Sequence, residues 1–292
     1  ADDSEFRTVL QRVRSVDADA GCPVVGLTGT GGAGKSSLTD ELMLRIQRDN
    51  PGAKIALLAT DPTRKRTGGA LLGDRVRMNH YNNDESVFIR SMGTRGDLGG
   101  LARKAQETGD ILAASGKDVI IFETVGVGQG EYDVVKATDL TIVVLVPESG
   151  DEVQLMKAGL VEIADLFVIN KSDREGADRL TDSLSSMIND FGNNSKLDPP
   201  VFNTVACDGR GIDKLFKGIF NQLDKLDRRG LLIQKKKERY QNRVKKLVHE
   251  QLLSEFWTED RIRELEDATK SLDTITESPV SIANNILKNF KL

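Results

Sequence analysis

Between residues 24 and 206, short apolar runs alternate with segments whose apolar residues repeat every three or four positions. Short apolar runs are typical of strands buried on both faces, and the three-or-four repeat is typical of amphipathic helices. Their alternation predicts an α/β fold with a doubly wound, mainly parallel sheet. The predicted helices include 36–48 and 101–114, and the predicted strands are 24–29, 54–61, 87–92, 119–124, 141–147, 166–170 and 200–206.

After about Phe216 the strand pattern stops and a charged helical pattern begins. Within 234–257, apolar residues at spacings of three or four predict one apolar helix face. Two interpretations of this C-terminal helical arm remain open: a helix packed on the protein's own core, or an arm that pairs with another subunit. The face comprises Tyr240, Val244, Leu247, Val248, Leu252, Phe256 and Trp257.

Composition narrows the class of protein. With 292 residues, 38% of them hydrophobic, the chain can build a large core. Its net charge of -4 lacks the excess of positive charge that is typical of nucleic-acid-binding proteins. Two cysteines and two histidines are too few for a Cys/His metal site or a disulfide framework. No apolar run approaches a membrane span or a signal core. We expect a cytoplasmic protein without nucleic-acid or membrane partners, and a mitochondrial matrix protein would show the same pattern.

The stretch "GTGGAGKSS" matches the P-loop pattern G-x-x-x-x-G-K-[ST] between a predicted strand and a predicted helix. In such loops the backbone N–H groups surround phosphate oxygens, the Lys reaches the β- and γ-phosphates, and the Ser ligates magnesium. The strand and helix on either side disfavour the alternative of a plain glycine-rich turn. The predicted nucleotide-binding residues here are Gly29, Gly31, Gly32, Ala33, Gly34, Lys35, Ser36 and Ser37.

A second motif, "NKSD" at Asn170 to Asp173, follows the apolar run "LFVIN". A carboxylate on Asp173 accepts hydrogen bonds from the ring N–H and the exocyclic amine of guanine together, whereas adenine presents the opposite polarity. The alternative is a helix-capping Asn or Asp. In "TVACDGRGI", a backbone turn at Ala206 and Cys207 would pack against the base. With Lys171, these residues predict a site that prefers GTP to ATP.

Three carboxylates are candidates for the neighbourhood of a bound triphosphate. Glu123 ends the run "VIIFE", where a carboxylate is costly unless it meets a cation. Asp61 ends another strand, although an Asp-Pro turn is its alternative, and Asp74 lies in a loop rich in Gly and Arg. Magnesium would neutralise all three, with Ser36 as a further ligand. Gly126, just after Glu123, would let the backbone approach the γ-phosphate.

The loop "PESGDEVQLMKAG", residues 147–159, follows a strand and places Lys157 on the carboxyl side of the sheet. An acidic first turn with a later Lys also describes an ordinary helix start. Spacing alone favours the helix start.

Together these motifs resemble the MeaB/ArgK family, the G-protein chaperones of adenosylcobalamin-dependent acyl-CoA mutases such as methylmalonyl-CoA mutase. The stretch "DPTRKRTGGALLGDRVRMN" is also similar to the G domain of fused isobutyryl-CoA mutase. The resemblance implies a short N-terminal helical segment at 1–22, a P-loop G domain at 23–228 and a dimerisation arm at 229–292, and therefore a homodimer.

The resemblance also implies a function and assigns further residues. It implies a magnesium-dependent GTPase, slow alone and accelerated by its partner, that gates loading, protection or repair of adenosylcobalamin on a mutase. The cobalamin would belong to the mutase, because this chain has no Asp-x-His-x-x-Gly signature. Glu123 would belong to a Glu-x-x-Gly switch, Lys157 would stabilise phosphoryl-transfer charge, and Gln129 is the nearest candidate for a catalytic Gln. The implied catalytic set is Lys35, Asp74, Glu123, Gln129 and Lys157.

The same residues disfavour two other functions. A P-loop kinase is disfavoured by the guanine selection expected of Asp173. A metal-insertion GTPase would need Cys and His ligands, of which the chain has almost none. The N-terminal extension common in standalone members is short here, so the chain resembles either a standalone version of the fused-mutase G domain or an excised piece of one.

Overall fold

A parallel sheet of seven strands forms the centre of the protein in the computed structural model. The structure describes residues 21–61, 78–81, 83–93, 101, 104–125, 131–149, 160–191, 198–270 and 278–288. The sheet order is β3-β2-β4-β1-β5-β6-β7, and every neighbouring pair is parallel. The strands are β1 (Val24–Gly29), β2 (Ile55–Asp61), β3 (Val87–Gly93), β4 (Val119–Glu123), β5 (Leu140–Leu145), β6 (Leu166–Asn170) and β7 (Val201–Thr204). The predicted doubly wound α/β sheet is confirmed.

Helices connect most of the strands. They are α1 (Lys35–Asp49), α2 (Ala105–Ala114), α3 (Glu131–Ala137), α4 (Leu160–Ile163), α5 (Ala177–Phe191), α6 (Ile212–Arg228), α7 (Leu231–Phe256), α8 (Glu259–Ala268) and α9 (Pro279–Lys288), with short 3-10 turns at Asn79–Tyr81 and Pro147–Ser149. No helix within the described ranges is long and apolar enough to cross a membrane.

The central strands are buried on both faces, as their continuous apolar runs predict. On one face, Val25 and Leu27 of β1 pack in a core with Leu38 of α1 and Leu215 of α6. The opposite face has smaller cores, one of which contains Phe122 of β4. Complete burial of such a side chain contributes about 1.5–3 kcal/mol, so these layers fix the sheet rigidly beneath its loops.

The order of the strands determines where a ligand site is expected. Strands β2, β3 and β4 lie on one side of β1, and β5, β6 and β7 lie on the other side, where β5 pairs with β1. Ligands of open α/β sheets bind at the carboxyl ends of the strands, where the order reverses in this way. In this protein the loop between β1 and α1 occupies that position.

Residues Lys237–Leu292 form a compact unit of their own, separate from Ala1–Lys236. In this unit α8 and α9 pack against each other. The apolar stripe that the sequence places on α7 is largely solvent-exposed in the single chain, with Tyr240 at 67% and Val248 at 52%.

Candidate functional site

The loop between β1 and α1 depends on glycine at two positions. Gly29 has φ 139°, and a Cβ there would lie 2.0 Å from the carbonyl oxygen of Val144. Gly34 has φ 84°, and its Cβ would lie 2.4 Å from Nδ2 of Asn170. Any side chain would therefore push the loop off β5 or displace Asn170. The backbone thus turns tightly and reaches the N-terminus of α1 in the shape that the P-loop pattern predicts.

The other predicted residues of this loop differ in exposure. Gly31, Gly32 and Ser37 are exposed, while Ala33 is fully buried. Lys35, the first residue of α1, is only 6% exposed, and its Nζ donates to the carbonyl oxygens of Gly29 at 2.9 Å and Thr30 at 3.0 Å. A buried ammonium is thereby held across the loop, where N–H groups and the helix dipole also favour an anion.

Glu123 ends β4 directly beside the start of α1. The side chain is 4% exposed, and its Oε1 accepts a hydrogen bond from Ser36 Oγ at 2.7 Å. Its Oε2 accepts from Thr39 Oγ1 at 3.2 Å. These two hydroxyls offset part of the cost of burying a carboxylate. The motifs predict Ser36 and Glu123 at one magnesium site, but no motif points to Thr39, one helical turn further along α1.

Asp61 ends β2 on the same face of the sheet. The register places Ala59 opposite Glu123, and side chains two residues apart along a strand point to the same side. Asp61 is 5% exposed. The structure therefore brings Ser36, Asp61 and Glu123 to one edge of the sheet beside the loop, as the sequence predicts.

The oxygen atoms at this edge are of the kind that bind a magnesium ion. A hydroxyl and carboxylates are hard oxygen ligands of the type that Mg²⁺ prefers. Among the described residues, no cluster of three or more His, Cys, Asp or Glu side chains could hold a metal ion alone. Mg²⁺ is commonly bound through one or two carboxylates together with substrate phosphates and water. Ser36 with Glu123 fits that kind of shared site.

Asn170 connects three parts of the site. The side chain is 2% exposed, and its Nδ2 donates to the carbonyl oxygen of Ala33 at 2.9 Å. Its Oδ1 accepts from Thr204 Oγ1 at 3.2 Å and from the backbone N–H of Ala206 at 3.1 Å. A buried amide with all these partners fixes the loop after β1, the end of β6 and the turn after β7 to one another.

The residues after Asn170 form the side of the site expected to contact the base. Lys171 has φ 56°, a left-handed conformation, and its Nζ donates to the carbonyl oxygen of Gly32 at 2.8 Å. Asp173 is exposed, and so is Cys207 in the turn after β7. The structure thus leaves the Asp173 carboxylate accessible to a ligand that also contacts the loop after β1.

The turn after β7 is built by its own backbone. The N–H of Val205 donates to the carbonyl oxygen of Arg210 at 3.0 Å, and that of Arg210 donates to Asp208 Oδ1 at the same distance. Gly211 has φ 77°, and a Cβ there would lie 2.1 Å from the carbonyl oxygen of Asn203. This closed turn holds the N–H of Ala206 towards Asn170.

A surface ion pair lies at the same edge. Arg174 pairs with Glu148, which lies in the 3-10 turn after β5. The hydrogen bond from Arg174 lowers the pKa of the Glu148 carboxyl. The same hydrogen bond is the largest cause that raises the pKa of Arg174, and the negative charges of Glu148 and Asp173 add to it. Both groups are exposed, so the pair orients the loop more than it stabilises the fold.

Four predicted residues lie outside the described part of the chain. These are Asp74, Gly126, Gln129 and Lys157. Their roles remain predictions.

Comparison with known proteins gives several matches. The family model for the methylmalonyl-CoA mutase-associated GTPase MeaB matches residues 2–261. The GTPase ArgK of Escherichia coli is 34% identical over 262 residues, which span 87% of this chain and 78% of that protein. The fused isobutyryl-CoA mutase of Geobacillus kaustophilus is 39% identical over 211 residues, 70% of this chain but 19% of that much longer protein. A crystal structure of an LAO/AO transport system kinase, 25% identical, has a TM-score of 0.64 and covers 98% of this chain and 92% of its own.

Proposed function

Since this chain belongs to the family of methylmalonyl-CoA mutase-associated GTPases, we propose that it hydrolyses GTP with magnesium and thereby gates adenosylcobalamin loading, protection or repair on an acyl-CoA mutase. The observation that carries the hydrolytic part is the buried Glu123 carboxylate, 2.7 Å from Ser36 Oγ beside the P-loop. A buried charge at this position matches a magnesium-assisted phosphoryl site. The role on the mutase rests on the family and on a relative in which a similar segment is fused to a mutase.

The residues of the loop would bind and position the triphosphate. Its backbone N–H groups and the N-terminus of α1 would hold the phosphate oxygens. Lys35 would exchange its bonds to the carbonyl oxygens of Gly29 and Thr30 for bonds to phosphate oxygens. Its positive charge would then stabilise the charge that spreads over the γ-phosphate as water attacks. Positioning and charge stabilisation supply most of the catalysis in this chemistry.

Magnesium would be held by Ser36 Oγ, with the carboxylates of Glu123 and Asp61 beside it. When bound, the ion would supply positive charge against the negative charge that develops during phosphoryl transfer. The hydroxyls of Ser36 and Thr39 already orient the Glu123 carboxylate towards α1. Asp74 is a further candidate ligand, and Gln129 is a candidate for orienting the attacking water.

Guanine would be recognised by Asp173 and by the turn at Ala206 and Cys207. Asn170 supports this arrangement, since it bonds both to the loop that would hold phosphates and to the turn that would hold the base. A shift of either loop would thus displace the other through Asn170.

A mutase partner and a homodimer complete the proposal. The segment 147–159 begins at the turn that Arg174 binds through Glu148. We propose that this segment responds to the mutase and that Lys157 stabilises phosphoryl-transfer charge in the complex. The adenosylcobalamin would reside on the mutase.

Residues 229–292 would form the dimer, and the exposed stripe on α7 supports this assignment.

A first prediction concerns Thr39, which we assign as a positioning residue for Glu123. Thr39→Val keeps the shape of the side chain but removes the donor to Oε2. A hydrogen bond to a charged group is worth about 1.5–3 kcal/mol, so kcat for GTP is expected to fall about 10-fold. The Mg²⁺ concentration that gives half the maximal rate is expected to rise, measured by a magnesium titration of the rate.

Thr39→Ser is the matched control, because it keeps the hydroxyl and loses only a methyl group. It is expected to restore most of the magnesium response. If Thr39→Val titrates with magnesium as the wild type does, the positioning role of Thr39 is wrong.

A second prediction concerns the base. Asp173→Asn replaces one of the two acceptor oxygens with an amide NH2 donor, which leaves one guanine N–H without a partner. We expect about 30-fold weaker GTP binding, since the loss of a bond to a charged group is worth about 2 kcal/mol. ATP binding should hardly change, and calorimetric titration with each nucleotide measures both constants.

The control for this prediction is Asp178→Asn, an equal change of charge on an exposed residue of α5. It should leave both affinities as they are. Unchanged selectivity in Asp173→Asn would remove the assignment of Asp173 to guanine.

The proposed reaction itself is tested by incubating the protein with GTP or ATP, with and without Mg²⁺, and measuring phosphate release. We expect slow release from GTP that requires Mg²⁺ and little release from ATP. Equal release from both nucleotides would contradict the proposal.

A further inference from the structure

Charged side chains join α1 to the first turn of α6, immediately after the turn that would contact the base. Arg45 pairs with Glu41, which lies one helical turn earlier on α1, and its Nε lies 3.4 Å from Oδ1 of Asp213 on α6. Nη1 of Arg48 lies 2.9 Å from the same oxygen. The two helices are thus connected through one carboxylate. The proposed contacts with GTP use none of these four residues.

Arg45 also packs against the turn after β7 itself. Gly209 in this turn has φ 76°, and a Cβ there would lie 3.0 Å from Nη2 of Arg45 and 3.6 Å from Oε2 of Glu41. The backbone of the turn therefore lies directly on the Arg45–Glu41 pair. Even a methyl group at this position would press on the guanidinium.

Exposure distinguishes the two arginines. The side chains of Arg45 and Glu41 are 17% and 23% exposed, whereas those of Arg48 and Asp213 are 54% and 55% exposed. Exposed ion pairs contribute little, because they are screened and must order two long side chains. A pair that is partly removed from water is screened less. Arg45 is therefore the residue expected to hold the turn against α1.

The same turn has a second attachment at its beginning. Oδ1 of Asn170 accepts a hydrogen bond from the backbone N–H of Ala206 at 3.1 Å. Cys207, which is assigned to the base, lies between this bond and the contact of Gly209 with Arg45. Hydrogen bonds weaken steeply when their distance and angle depart from the optimum. A turn released at either end would therefore contact a base less well.

We propose that Arg45 is a positioning residue for recognition of the base. It would fix the turn at Ala206 and Cys207 relative to α1, the helix that begins in the phosphate-binding loop. The inference rests on the proposed GTP site and deepens it. Arg45 lies about 15 Å along α1 from Lys35, and it would act through the backbone of the turn without touching the nucleotide. One helix would thus set the distance between the phosphate end and the base end of the site.

The test measures how tightly the full chain binds GTP, ATP and inorganic triphosphate, which has no base. Arg45→Met keeps a long unbranched side chain and removes the guanidinium. Its affinity for GTP is expected to fall about 5-fold, which corresponds to about 1 kcal/mol. Its affinity for inorganic triphosphate should hardly change, and its preference for GTP over ATP should therefore fall. Calorimetric titrations give the three constants, and a urea unfolding curve checks the fold.

Two further variants accompany this substitution. Arg228→Met is the matched control, because Arg228 is an exposed residue of α6 that pairs with Asp224 on its own helix. It should leave all three constants unchanged. Arg45→Lys retains the charge and serves if Arg45→Met does not fold. A lysine ammonium cannot reproduce the planar fork of donors, so the preference for GTP should fall here too, to a smaller extent.

A double-mutant cycle tests the contact between Arg45 and the turn. Gly209→Ala should weaken GTP binding less in the Arg45→Met protein than in the wild type, because the added methyl group then meets no guanidinium. Gly230→Ala is the control for the left-handed backbone, since Gly230 has φ 70° and a Cβ there would meet nothing within 4 Å. Its effect should be the same in both proteins. Additive effects of Gly209→Ala and Arg45→Met would contradict the contact.

Two results would overturn the positioning role of Arg45. One is an unchanged affinity for GTP in both Arg45 variants. The other is an equal loss of affinity for GTP and inorganic triphosphate, which would assign Arg45 to support of the phosphate loop. A wild-type protein that binds GTP no more tightly than ATP would instead contradict the proposed function, so the two failures are distinguishable.

Discussion

Glu123→Gln is expected to lower the rate of GTP hydrolysis by about 100- to 1,000-fold, the usual effect of removing one preorganised electrostatic group from an active site. Glutamine fills the same volume and retains an oxygen that can accept the hydrogen bond from Ser36 Oγ, now 2.7 Å from the carboxylate. What it loses is the negative charge beside the magnesium position. We therefore expect a weakened dependence on Mg²⁺ while the fold remains intact.

The measurement is a magnesium titration of phosphate release, paired with GTP binding in the absence of Mg²⁺. Glu162→Gln provides the control, because it is the same change on an exposed residue of α4. Binding without magnesium should be similar in all three proteins. A Glu123→Gln protein that hydrolyses GTP at the wild-type rate would show that the buried carboxylate is structural.

Gly34→Ala is expected to weaken GTP binding by about 100-fold or more, which corresponds to about 3 kcal/mol. Two costs combine. A residue with a Cβ pays about 1–2 kcal/mol for the left-handed backbone. The Cβ would also lie 2.4 Å from Asn170 Nδ2, so Asn170 must give up bonds to Ala33 and Ala206, each worth about 0.5–1.5 kcal/mol.

Gly52→Ala separates the two costs. Gly52 has a similar φ of 88°, but its Cβ would meet nothing within 4 Å. This variant should lose some stability to unfolding and bind GTP as the wild type does. Equal GTP affinity in Gly34→Ala and Gly52→Ala would mean that the contact with Asn170 does not hold the loop in its binding shape.

The strands and their order of appearance could be predicted because each is a continuous apolar run with clear ends. The predicted strand 119–124 is observed as Val119–Glu123, and its terminal carboxylate lies at the sheet edge as expected. The short length of these runs and their β-branched residues favour strands over buried helices. The resemblance to the MeaB/ArgK family is confirmed by the family match.

Contacts between distant segments were harder to predict. Nothing in the local sequence distinguishes Thr39 from other polar helix residues, yet it bonds Glu123 from 84 positions away. Its role depends on how α1 packs over β4. Likewise, the stripe on α7 predicts one apolar face, but periodicity alone does not say what covers that face. The apolar cavity that Phe216 and Phe220 of α6 line has no sequence signature either, since both residues follow the pattern of ordinary core residues.

The measurement that tests the central claim most directly is the rate of GTP hydrolysis by this protein alone and with an adenosylcobalamin-dependent acyl-CoA mutase added. The experiment includes ATP as the control nucleotide and the Glu123→Gln variant as the control protein. The proposed function predicts a slow rate with GTP that rises when the mutase is added, and no such rise with ATP or with the variant. A GTP rate that stays the same across a full titration with active mutase would contradict the proposed role on that enzyme.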